Sequence, residues 1–148
     1  MTVTVAGGEQ EVYIPDTSVF LDGSLKELIV KGYLRGKVLI HSLIVRKFEE
    51  DSKRGSALGL LGIKEISDIT TTVKKLGLED YVKVEFTSML PRGYTVHDYD
   101  KVDEIVRELA REMGLILITS SEVASLICSA TGIRHIYTGR AKEKLEIE

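Results

Sequence analysis

Apolar positions along this chain follow two rhythms that alternate with each other. Short apolar runs at 11–15, 37–41, 115–119 and 134–138, together with the period-two alternation of 81–86, read as strands. Between them the apolar spacing turns helical. Leu25, Leu28 and Ile29 mark a helix within 23–33. Ser42 is placed to cap a second, carrying Leu43, Ile44, Val45 and Phe48 and ending at Arg54 and Gly55. Leu58, Leu61, Ile66, Ile69, Val73 and Leu76 approximate one face of a longer helix closed by Gly77. The clearest helix, 98–113, has Val102, Ile105, Val106, Leu109, Ala110 and Met113 on one stripe and stops at Gly114. A small-residue helix at 121–131 is terminated by Gly132. Residues 87–97, with Pro91 and Gly93, form the one long loop. Residues 2–6 alternate and precede Gly7 and Gly8, which suggests a small hairpin with the next strand.

Strands alternating with helices throughout predict an α/β fold, a central parallel sheet with helices on both faces. The 148-residue length allows one ordinary domain. The expected division is an extension or hairpin strand at 1–10, the domain at 11–138 and a tail at 139–148.

Composition narrows the function classes. Lys and Arg number 20 against 23 Asp and Glu, a formal net charge of -3. A domain that binds polynucleotide mainly by counterion release shows a basic excess, so a nucleic-acid partner here needs a local patch or a bound cation. Cys128 has no second cysteine to pair with, which fits a reducing interior. No apolar stretch approaches the roughly 20 residues of a membrane span, and 1–10 does not read as a signal peptide. The chain therefore reads as cytoplasmic, soluble and without a membrane partner. High charge with no Asn leans toward a thermophile.

Ligands of open parallel sheets gather beyond the carboxyl ends of the strands. Two such ends carry chemistry: Asp16, Thr17 and Ser18 after the first strand, and Thr119, Ser120, Ser121 and Glu122 after the fourth. Helix capping explains both equally well. Asp103 is more telling, because it shares its side of the 98–113 helix with Val106 and Ala110. Glu104 lines up instead with Arg107, Glu108 and Arg111 on a solvated face. Asp103 is thus either a metal ligand or a partly buried structural carboxylate. Phosphate-loop, dinucleotide and serine-elbow motifs are absent, and His41, His97 and His135 lack zinc spacing. Lys53, Arg54 and Arg92 could touch phosphates, although exposed basic residues are usually only solvated.

The stretches 14–23, 54–66, 102–110 and 117–120, with Gly132 and Ile133, together resemble a PIN domain. The likeness is to the archaeal kind found at the front of PilT-like ATPases that carry a KH-type segment. It covers roughly residues 11–138. It implies a three-layer α/β/α sandwich and a hydrolase that cleaves single-stranded RNA with Mg²⁺ or Mn²⁺. Clustered carboxylates suit such cations, which prefer oxygen ligands and activate water.

Carried over by position, Asp16 matches the family's first acid, Ser18 the small polar residue beside it, and Asp103 the third acid. Both are then the catalytic and metal-binding carboxylates. Lys47 stands where the resemblance places a Glu, and Ser121 follows Thr119 and Ser120 where it places an Asp. An ammonium can take a cation's electrostatic role, so metal affinity should be poor. Lys47 is placed to reach Asp16 and Asp103, and Glu50 or Glu122 could supply a missing acid. The resemblance therefore implies a ribonuclease-like domain with weakened or lost catalysis; the alternative is a non-catalytic PIN scaffold for RNA or protein. It also implies a homodimer or other oligomer, and a tail at 141–148 that could continue into an ATPase portion.

Overall fold

The computed structural model describes residues 10–139. Its elements in chain order are β1 (Glu11–Pro15), α1 (Ser18–Leu21), α2 (Ser24–Val30), β2 (Gly36–His41), α3 (Ser42–Lys53), α4 (Ala57–Lys75), β3 (Val82–Thr87), α5 (Val102–Met113), β4 (Ile116–Thr119), α6 (Glu122–Thr131) and β5 (His135–Tyr137). Single 3₁₀ turns at Leu78–Asp80 and Tyr99–Lys101 lead into β3 and α5.

The strands form one five-stranded sheet in the order β3-β2-β1-β4-β5, and every neighbouring pair is parallel. Right-handed crossovers place the helices between β1 and β3 on one face and α5 and α6 on the other. This is the α/β/α sandwich expected from the alternation. Strand order reverses between β1 and β4, which makes their carboxyl ends the switch point of the fold. Central strands here are buried on both faces, as the unbroken apolar runs require: Tyr13, Ile14, Leu117 and Ile118 are all core.

Three sequence expectations change in detail. The cap of α3 is His41, not Ser42: its buried Nδ1 accepts the Leu43 N–H at 3.1 Å. Its Nε2–H donates to the Met89 carbonyl at 2.5 Å, which ties the 87–97 loop to the end of β2. Burial holds this imidazole below its usual range, consistent with a neutral ring. Second, the amino-terminal half of α4 buries Gly59 and Gly62, while Leu58, Leu60 and Leu61 are exposed. The glycines let α4 lie against α3, since a Cβ on Gly59 would sit 2.5 Å from the Phe48 carbonyl oxygen and one on Gly62 would enter the Phe48 ring. From Ile63, which is partly buried, and Ile66 onward the apolar stripe of α4 packs on the core. Third, α5 begins at Val102, the residues from Tyr99 to Lys101 forming the 3₁₀ turn instead.

The proposed hairpin of 2–6 lies outside the described residues. Within them, β1 is flanked by β2 on one side and β4 on the other.

Candidate functional site

The switch point brings together residues from β1, α1, α5 and β4. Asp16 continues the face of Ile14 past the end of β1, and its N–H still completes the ladder by donating to the Ile118 carbonyl at 3.0 Å. It is 2 % exposed. Such a carboxylate must find donors or lose its charge. Its Oδ1 accepts from the Ser18 N–H at 3.0 Å and the Ser18 hydroxyl at 2.5 Å, an Asx turn that starts α1. Its Oδ2 accepts from the Thr119 hydroxyl at 2.6 Å.

Asp103, in the first turn of α5, is held from the other side. Thr17 donates its N–H to Oδ1 at 2.8 Å and its hydroxyl to Oδ2 at 2.7 Å. Adjacent residues Asp16 and Thr17 thus connect the two acids across the sheet boundary. Each carboxylate oxygen already has a neutral donor. Burial first, and the charge of Asp103 second, push the Asp16 carboxyl up to about 6 against the pull of its Ser18 and Thr119 hydrogen bonds.

The β4 end is a capping network. Ser120 N–H donates to Ser18 Oγ at 2.9 Å and Ser121 N–H to Thr119 Oγ1 at 3.1 Å. Ser121 itself caps α6, its Oγ accepting from Ala124 N–H at 3.2 Å. Glu122 is exposed in the first turn of α6.

Lys47 does not take the reach expected of it. Its ammonium sits 3.1 Å from Asp51, one turn along α3, and 3.9 Å from Asp100 in the turn before α5. Asp16 and Asp103 are not its ion-pair partners. Glu50 points to Lys53 at 3.6 Å. Arg54 donates to the Tyr99 hydroxyl at 3.3 Å, and Arg92 borders a hollow it shares with Glu108, Arg111 and Glu112, which is mixed in sign.

Asp51 and Asp100 were not singled out in the sequence, and Thr17 was named there only as part of the strand end, with no role of its own. Asp51 had an available signal, the i,i+4 spacing from Lys47. Thr17 had only its place beside Asp16.

Whether these residues suit a divalent cation can be tested on their donors. Mg²⁺ and Mn²⁺ need several oxygen ligands, usually with more than one carboxylate and bound waters. Among the described residues no group of three or more His, Cys, Asp or Glu side chains is arranged to hold a metal. The two acids that do converge have their oxygens engaged, and the other two expected positions carry an ammonium and a hydroxyl. The site does not fit the cation the resemblance implies.

No family model matches the chain. It is 28% identical over 135 residues to an uncharacterized KH and PIN-domain containing protein of Methanocaldococcus jannaschii, a match that takes in 89% of this chain. Over most of its length the chain is thus similar to a PIN-domain protein. The PIN family is generally nuclease-like and generally uses divalent metals. The chain spans about a fifth of that relative's length, 20%. A domain of a functionally unknown protein from the same organism superposes with a TM-score of 0.71 at 25% identity, covering 86% of this chain and 91% of that one. A PilT N-terminus domain protein from Sulfolobus solfataricus aligns at 20% identity with a TM-score of 0.47, over 85% of this chain and 86% of that one. No helix among the described residues is long and apolar enough to cross a membrane.

Proposed function

We propose that this PIN-type domain has lost the metal-dependent ribonuclease activity associated with its family and works as a non-catalytic scaffold within a larger RNA-handling protein. The supporting observation is the saturation of its acid pair. Thr17, Ser18 and Thr119 donate to every oxygen of Asp16 and Asp103, so the two carboxylates hold β1, β4 and α5 together. Lys47 and Ser121, at the positions where the resemblance expects further acids, are occupied in an ion-pair cluster and a helix cap. The KH segment named in the M. jannaschii relative supports placing the scaffold beside RNA-binding parts.

One observation favours a residual nuclease. The charge of Asp103 raises the Asp16 carboxyl, and a pair of acids in mutual repulsion gains from any cation that reaches it. Titration with Mn²⁺ by calorimetry and cleavage of mixed-sequence single-stranded RNA separate the two readings. Expected are no saturable heat and no cleavage for the natural chain, with both gained in K47E/S121D. Mn²⁺-dependent cleavage by the natural chain that Asp16→Ala abolishes would overturn the scaffold reading.

A further inference from the structure

Among the described residues the outer edge of the sheet at β3 is open, and the sequence of β3 is complementary to itself. β3 pairs only with β2 among the described residues. Gly36 lies opposite Val82 and donates its N–H to the Tyr81 carbonyl at 2.9 Å. In a parallel ladder the residues of a strand alternate between the two sides in the direction of their N–H and C=O groups. Lys83 and Glu85 therefore bond inward to β2, while the N–H and C=O of Val82, Val84 and Phe86 point away from the sheet. Their side chains share the face of Val38 and Ile40. Phe86 is 55% exposed at the end of this row. Beside it a groove of ≈ 390 Å³ runs between Val82 and Val84 of β3 and Thr70, Val73 and Lys74 of α4.

Edges are commonly guarded by charge. Lys83 and Glu85 are both exposed on the opposite face, where Glu85 also meets Lys37 at 3.5 Å. They carry opposite signs and are spaced symmetrically about Val84. An antiparallel strand of the same sequence centred there sets Lys83 opposite Glu85 twice, Val84 opposite Val84, and Val82 opposite Phe86 twice. The outward N–H and C=O groups of Val82, Val84 and Phe86 are then the ones that meet. Moving the centre by one residue in either direction sets Lys83 against Lys83 or Glu85 against Glu85. Like charges directly opposite are destabilising, so the register is specified.

We propose that β3 is a self-pairing edge: two copies of this chain join antiparallel about a two-fold axis through Val84, so that two five-stranded sheets become one. The exposed Phe86 of each copy closes over the Val82 end of its partner's groove. A short strand buries little area, so the dimer is weak and concentration-dependent.

Sedimentation velocity of the 148-residue chain over a concentration series tests this. The natural chain shifts from monomer to dimer below about 1 mM. K83E and E85K each turn both cross-strand pairs repulsive and weaken the dimer about tenfold. K83E/E85K, with the charges exchanged, restores it to within about threefold of the natural chain. V84P removes an outward N–H that bonds nothing within the described sheet, and it abolishes the dimer while leaving the circular dichroism spectrum unchanged. Should V84P not fold, the charge exchange alone decides. A natural chain that stays monomeric throughout overturns the proposal. So does a dimer that neither single charge variant weakens, or one that the double exchange fails to restore.

Discussion

Two acid groupings lie at the carboxyl ends of the strands, and they resolve the same problem in opposite ways. At the switch point Asp16 and Asp103 are satisfied by hydroxyls and backbone N–H groups alone, with Asp16 almost fully buried. In the Lys47 cluster Asp51 and Asp100 face an ammonium, the Lys47 side chain being 28% exposed. Where water is excluded and a second carboxylate is near, the charge becomes costly and the Asp16 carboxyl titrates high. Where water reaches, an ion pair forms and contributes little. The lysine at a position expected to be acidic does not stand between Asp16 and Asp103. It left them to neutral donors.

The largest effect that sharpens this contrast belongs to Asp16. Below about pH 4 its carboxyl is protonated whether the chain is folded or not, because the ordinary value is 3.8. Between there and about 6 the unfolded chain ionises while the folded one keeps its proton. Stability therefore falls as pH rises through that window, by about 3 kcal/mol at most, and is level above it. Asp16→Asn removes the fall and is the more stable protein at pH 7. Urea unfolding at a series of pH values reads this directly, and parallel curves for the two proteins would refute it.

Thr119→Val comes next. It deletes the buried donor to Asp16 Oδ2 and the acceptor for Ser121 N–H, at a cost of about 2 kcal/mol near neutral pH. The same change extends the pH window upward, since the ionised carboxylate has lost a partner. A destabilisation equal at pH 4 and pH 7 would show that Thr119 acts only by packing. Lys47→Met is the smallest: thermal unfolding at neutral pH should change by less than about 1 kcal/mol, because both ends of the Lys47–Asp51 pair touch water. A larger loss would make the two groupings energetically alike.

Period and punctuation made most of the architecture legible. The stripe from Val102 to Met113, the buried runs of β1 and β4, and the Gly114 and Gly132 stops all correspond to described elements. Side-chain choices over a few ångströms were harder to read. Ser42 and His41 both stand at the start of α3, and only the position of the Met89 carbonyl selects the imidazole. Leu58 and Leu61 have helical spacing, yet the tight approach of α3 favours Gly59 and Gly62 on the inner side. Lys47 lies on a helix face that could serve several partners, and its long stem turned to the acid one turn away. Asp16 and Asp103 could be nominated from pattern and resemblance. The grip of Thr17 on Asp103, which ties the second acid to the neighbour of the first, depends on a contact between segments 86 positions apart.

That separation bears on how the chain assembles. β2, β3 and the helices joining them are neighbours in sequence, so their half of the sheet can gather with short loops to close. The bonds of the switch point span 86 residues from Thr17 to Asp103 and 103 from Thr119 to Asp16. Long closures cost entropy before any contact repays it, and distant parallel pairings form slowly. The acid pair is therefore completed late in folding, when β4 docks against β1. Until that step the Asp16 carboxylate remains hydrated with ordinary acidity, and its unusual proton affinity is a property the chain acquires only on reaching its finished topology.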